Sequence, residues 1–231
     1  MQVLFLGMNS KVRKMILNRP TKLNSINYKM ILELLKNLKE FEEDPNVNLV
    51  MIKGNGKAFS AGADVVSLLG LGTAGHWSFA AKYYYKLLTL LHLIATYKKP
   101  LVTLVNGLAM GGGAAMSTFA TFQIVTENTI FSMPEISMGL VPNVGAGYFL
   151  SRLPGYFGEY LGFTGARIDG ADMIACGLAT HFVHSKDLVL MESELEEVAG
   201  SSLTMNISKV NETINKYALT PSLKQDSPLK K

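Results

Sequence analysis

The chain has 231 residues and a net charge of +4, with only 17% charged residues against 48% in the hydrophobic class. Globular domains carry roughly 25% charged residues, so this balance excludes a disordered chain or a polyelectrolyte and suits one large domain. The single cysteine, Cys176, excludes an intramolecular disulfide framework, and 18 lysines with 4 arginines form no dense basic cluster that would call for nucleic acid.

Residues 3–6 and 12–17 read as short strands, a hairpin-like pair around Gly7-Met-Asn-Ser10. Pro20 then starts a loop. Ile31, Leu34, Leu35, Leu38 and Phe41 recur at helical spacing, with Asn27 as N-cap and Lys29, Lys36 and Lys39 facing outward. Asp44-Pro45 ends that helix, a strand follows over 47–52, and Gly54-Asn-Gly56 signals a turn. Phe79, Tyr83, Leu87, Leu90, Leu91 and Ile94 mark a long second helix that stops near Pro100. Beyond it the pattern predicts a strand over 101–105, a glycine turn, a small-residue helix from Gly112, and strands over 122–126 and 129–132. Short helical pieces follow over 144–151, 158–163 and 171–176, then a strand over 180–183. Amphipathic helices are expected over 187–199 and 203–217, and the polar stretch 220–231 reads as a linker or frayed end. Strand-strand-helix order, repeated, is an α/β arrangement.

Residues 101–126 contain no charge, and over 101–151 the only charges are Glu127 and Glu135. The length would suffice for a membrane span, but the content argues against one. Gly111, Gly112 and Gly113 fall in mid-run, and each would weaken a helix by about 1 kcal/mol relative to alanine. A buried strand followed by a turn is the better reading. No metal-ligand spacing is present: His76, His92, His181 and His184 are scattered, and Cys176 has no cysteine partner. No targeting signal is legible in the first or last residues.

Two glycine motifs each follow a strand: Lys57-Ala-Phe-Ser-Ala-Gly-Ala-Asp64 and Asn106-Gly-Leu-Ala-Met-Gly-Gly-Gly113. Small residues there let a ligand approach the backbone. Unpaired N–H groups converging on one point would hold a carbonyl oxygen that becomes negative. Tight turns and close helix packing explain the same glycines without a ligand. Glu135 stands in Met133-Pro-Glu-Ile136 with no basic residue near it in sequence. Apolar surroundings would raise its pKa and suit a general base or a carboxylate nucleophile, although a glutamate after a proline is also common at a helix start.

Together with Leu17-Asn-Arg-Pro20, Leu23-Asn-Ser25, Ile94-Ala-Thr-Tyr-Lys-Lys-Pro100, Gly147-Tyr-Phe-Leu-Ser-Arg-Leu-Pro154, Thr164-Gly-Ala-Arg167 and Ala175-Cys-Gly-Leu-Ala-Thr-His-Phe-Val183, these segments resemble the crotonase (enoyl-CoA hydratase/isomerase) superfamily. Within it they are most similar to the plant 3-hydroxyisobutyryl-CoA hydrolase-like group. The resemblance implies a spiral of β-β-α units. It implies an acyl-CoA core over 1–185, with C-terminal helices and a tail over 186–231 that fall short of the family's full C-terminal helical region. It places the oxyanion-hole N–H groups on Ala63 and Gly112, and the acid that attacks the thioester or activates water on Glu135. Coenzyme A, as part of the substrate and not a separate cofactor, would contact Asn24, Ala61 and Asp64, with the acyl part near Leu87, Gly112, Glu135 and Asn143. It further implies homo-oligomers and a mitochondrial or peroxisomal location.

The chain departs from the hydrolase pattern at several positions. Asn143 stands where an aspartate is expected, and an asparagine can orient a water but cannot accept a proton. Leu87 replaces a glutamate, and Phe119-Ala120 replaces His-Gly. Hydratases of the family carry a second glutamate at the position of Ala115. The resemblance therefore implies hydrolysis of a short 3-hydroxyacyl-CoA in valine catabolism. An impaired acyl-CoA-binding paralogue is the alternative, and a hydratase or isomerase is disfavoured.

Overall fold

A computed structural model describes residues 2–7, 10–201 and 206–230. The expected turn residues Met8 and Asn9, and the start of the last amphipathic helix at Leu203, lie outside the described residues. In chain order the elements are β1 (Val3–Leu6), β2 (Val12–Leu17), α1 (Tyr28–Glu43), β3 (Leu49–Gly54), β4 (Ala58–Ser60), α2 (Val65–Thr73) and α3 (Trp77–Ala95). They continue with β5 (Leu101–Val105), β6 (Leu108–Met110), α4 (Gly112–Thr118), β7 (Phe122–Val125), β8 (Ile130–Ser132), α5 (Ala146–Leu150) and α6 (Phe157–Thr164). The last are β9 (Ile168–Asp169), α7 (Gly170–Ala175), β10 (His181–Phe182), α8 (Leu188–Ser201) and α9 (Ile207–Asn215).

The strands form two sheets. One has the order β1-β2-β3-β5-β7-β10, the other β4-β6-β8-β9. Successive turns of the chain place one strand in each sheet: β3 then β4, β5 then β6, β7 then β8. This is the spiral of β-β-α units that the family resemblance implied. β1 pairs antiparallel with β2, and the other pairs of the large sheet are parallel.

The large sheet is buried on both faces. One face packs with the second sheet, α1 and α3 around Leu34, Phe59, Leu90 and Phe131. The other packs Leu49, Met51, Val102 and Ile124 against Met191 and Leu195 of α8 and Val210 and Ile214 of α9. All five residues of β5 are buried, which is why the charge-free run begins there. Among the described residues no helix is long and apolar enough to cross a membrane. Glu192 of α8 ties this layer to the sheet, accepting from Lys53 Nζ at 2.7 and 2.9 Å and lying 3.4 Å from Lys14 Nζ.

Several elements differ from expectation. β3 starts at Leu49 because the Val47 N–H closes a turn on the Asp44 carbonyl. β4, β6 and β9 have three residues or fewer, too short for a period-two signal. α2 lacks a polar face but has a capped start, its Ser67 N–H donating to Asp64 Oδ1. Residues 220–230 are docked rather than frayed. Lys224 pairs with Asp169 at 3.0 Å, Leu229 packs on the core, and the buried Ser227 hydroxyl donates to the buried Asp172 carboxylate. Polar composition concealed this because two of the contacts are polar ones, to Asp169 and Asp172. Ser227→Ala is expected to lower stability by about 1 kcal/mol, read as a shift in the urea midpoint at constant slope.

Candidate active site

β4, β6 and β8 are adjacent and parallel. The residues that follow them therefore emerge along one edge: Ala61 to Asp64 after β4, Gly111 and Gly112 after β6, and Pro134 and Glu135 after β8. Ligands of parallel sheets characteristically bind at such carboxyl ends. The Gly111 N–H donates to the Ser132 carbonyl at 3.1 Å and carries the β6–β8 pairing up to the site.

Glu135 lies in a 3-10 turn, Pro134–Met138, with proline at its start, where a missing N–H costs nothing. The turn closes through Gly139, and the Leu140 N–H donates to the Glu135 carbonyl at 3.0 Å. The side chain is only 5% exposed. Its Oε2 is buried without a hydrogen-bond partner among the described residues. Burial raises the carboxyl pKa above the ordinary glutamate value, and a backbone hydrogen bond only partly opposes that. Gly111 has φ +49°, and a Cβ there would stand 3.0 Å from Glu135 Oε1. Glycine at this position thus gives the carboxylate its place.

The Ala63 and Gly112 N–H groups donate to no protein acceptor among the described residues. Gly112 is the first residue of α4, and Ala63 forms a bridge to Ile26 in which its own neighbours supply the bonds. The two segments lie close: a Cβ built on Gly112 would be 3.9 Å from the Ala63 nitrogen. Gly62, at φ +91°, permits this, since a Cβ there would lie 2.7 Å from the Met110 carbonyl oxygen. Ala61, Ala63, Gly111, Gly112, Glu135 and Asn143 all line one largely apolar cavity of about 360 Å³. α2 and α3 complete it with Leu68, Leu69, Trp77 and Tyr84, none of which the sequence reading singled out. The Asp64 cap ahead of an apolar run was the available signal for α2.

Other expected site residues lie elsewhere or are already engaged. Asn24 is fully buried, its carboxamide donating to the Asn55 and Ala58 carbonyls and accepting from the Arg19 N–H. Its side chain braces the loop after β2 against β4. Asp64 pairs with Arg19 at 3.0 Å and caps α2. Burial pushes its carboxyl up, but the hydrogen bonds from Arg19 and Ser67 outweigh this and hold its pKa below the ordinary value. Leu87 does not line the cavity. It is fully buried beneath it, with Cδ2 3.6 Å from a Cβ built on Gly112. The Asn143 carboxamide has no protein partner among the described residues, and Ala115 is buried within α4, so no second carboxylate stands at that position.

Comparison with known proteins agrees with this architecture. The family model for enoyl-CoA hydratase/isomerase matches residues 12–231. The probable 3-hydroxyisobutyryl-CoA hydrolase 3 of Arabidopsis thaliana is 49% identical over 218 residues, which cover 94% of this chain and 57% of that protein. The small ribosomal subunit protein mS47 of Arabidopsis thaliana is 38% identical over 216 residues, covering 94% of this chain and 52% of that protein. Among solved structures, a carnitinyl-CoA dehydratase from Mycobacterium thermoresistibile superposes with a TM-score of 0.88 at 30% identity, covering 99% of this chain and 63% of that one. The chain thus spans little more than half the length of these curated relatives. A buried carboxylate, two adjacent unpartnered N–H groups and a fold built from β-β-α turns accord with these likenesses, and the chain belongs to the crotonase (enoyl-CoA hydratase/isomerase) superfamily.

Proposed function

We propose that the chain hydrolyses a short 3-hydroxyacyl-CoA thioester, 3-hydroxyisobutyryl-CoA above all, to the 3-hydroxy acid and coenzyme A. One observation carries this reading: a buried carboxylate with an unbonded oxygen faces the same cavity as two unpartnered backbone N–H groups. The Ala63 and Gly112 N–H groups hold the thioester oxygen as it gains charge, an arrangement whose single donors are worth about 10²–10³ in rate. Glu135 takes a proton from water as the water oxygen attacks the carbonyl carbon. The tetrahedral intermediate collapses, the C–S bond breaks, and Glu135 returns the proton to the coenzyme A sulfur. Direct attack by Glu135, through an anhydride that water then cleaves, uses the same groups. Asn143 orients the water or the substrate hydroxyl. Coenzyme A enters as part of the substrate, and the scheme needs no further cofactor.

A second reading is an impaired acyl-CoA-binding paralogue. Asn143, which cannot act as a base, and the likeness to a ribosomal subunit protein favour it. Purified chain incubated with 3-hydroxyisobutyryl-CoA and a thiol-reactive dye separates the two. Hydrolysis predicts free coenzyme A, lowered by about 10²–10⁴ in Glu135→Gln. Background release from folded protein that still binds the ester sinks the hydrolase reading. If the impaired reading holds, Asn143→Asp raises the rate.

Glu135 also predicts a cost in stability. Its folded-state pKa is raised, so the buried carboxyl is tolerated while protonated, and stability falls as pH rises from the ordinary glutamate range through the folded pKa. Glu135→Gln is therefore expected to be more stable than the parent chain at pH 8. The difference should shrink toward pH 4 in urea titrations at both pH values.

A further inference from the structure

A second groove, of about 560 Å³, adjoins the candidate-site cavity at Val144. Leu88, Leu91 and His92 of α3, Phe119 after α4, and Tyr148 of α5 line it. Among the described residues Val144 alone lines both spaces. Its side chain is 4% exposed, and its Cγ1 lies 3.8 Å from a Cβ built on Gly112. Leu87 approaches the same point to 3.6 Å. Val144 therefore stands beside Gly112 in the wall that the two spaces share.

The Val144 backbone is unusual. Its φ is +50°, a left-handed conformation that a β-branched residue rarely adopts. Such strain persists only where neighbours impose it, and it concentrates at functional sites. Here the Ala146 N–H donates to the Asn143 carbonyl at 2.8 Å, which folds the segment back on itself, and Gly145 follows at φ +81°. A glycine or asparagine at residue 144 would accept this backbone readily. A valine there places a branched apolar side chain in the wall that both spaces share.

We propose that Val144 sets the acyl-length limit of the site, acting as the partition that keeps an acyl chain out of the groove beyond. This rests on the acyl-CoA reading above and deepens it. An acyl chain growing from a carbonyl held at the Gly112 N–H meets the Val144 methyl groups before it can reach Leu91 and Phe119. Removing those methyl groups joins two apolar spaces into one. The residue then selects short acyl groups by exclusion, as an apolar pocket discriminates by the methylenes it has room for.

The test uses binding, so it does not depend on turnover. S-(2-oxobutyl)-CoA and S-(2-oxodecyl)-CoA are ketone thioethers that cannot be hydrolysed, and they carry an ethyl and an octyl tail beyond a carbonyl that the N–H groups can hold. Their affinities for the parent chain, Val144→Ala and Val144→Gly are measured by titration calorimetry, with far-UV spectra and melting curves to establish folding. The parent chain should bind the octyl probe more weakly than the ethyl probe. Either variant should raise the octyl-to-ethyl affinity ratio by about tenfold. Val144→Gly also relieves the positive-φ strain, so it guards against a folding failure of Val144→Ala. An unchanged ratio in the folded variants overturns the proposal, as does a parent chain that binds both probes equally. Failure of both probes to bind any of the three chains is a different result: it removes the acyl-CoA reading itself, and this inference with it.

Discussion

The parallel hydrogen bonding of β4 to β6, and of β6 to β8, is the constraint on which the site depends. Each strand is only three residues long. Each nevertheless delivers one part of the site to a shared edge: the Ala63 N–H, the Gly112 N–H and the Glu135 carboxylate. β4 advances two residues, Ala58 to Ser60, against one of β6, Leu108 to Ala109, an irregularity just ahead of the turn that carries Ala63. The large sheet makes the short one possible. β5 and β7 are buried throughout and β3 over its first four residues, all three are held in parallel register, and each hands the chain to its short partner within a few residues.

Polar groups in this region divide into those that brace and those left open. Asn24, Arg19 and Asp64 satisfy one another and the neighbouring backbone, which fixes the loop after β2 and the start of α2. Glu135 Oε2 and the two N–H groups have no such partners. A buried polar atom without a partner costs stability, and that cost persists only where the surrounding packing exceeds it. Val144 is a second instance of the same tension, expressed in backbone conformation. Both lie at the cavity, and the two apolar layers on either side of the large sheet offset them.

Much of the fold was legible. β5 could be read because it is apolar on both faces, and α1 because Asn27 caps it and its apolar positions recur at helical spacing. α2 escaped because an apolar nine-residue helix on a cavity wall has no polar face to reveal its period. The docked chain after residue 219 escaped because Ser227, Lys224 and Asp172 look alike in composition whether they meet solvent or one another. At the site, the glycine motifs and the isolated glutamate could be found by residue type. The separation of bracing from binding could not. Asn24 and Asp64 occur within motifs of the family pattern, yet their side chains are consumed by contacts up to 45 residues away in sequence.

The sequence by itself determined which segments must be buried, where small residues free the backbone, and that one carboxylate stands in a nearly charge-free stretch. Those properties are local: they follow from residue type and spacing along a few turns of chain. Only the tertiary structure decided that three distant segments share one sheet edge, that Gly111 yields its side-chain space to Glu135, and that Val144 stands between two cavities in a strained conformation. Hydrogen bonds between parallel strands join residues tens of positions apart and leave no periodic trace in the chain, so the neighbours of each strand become known only when the sheets are assembled.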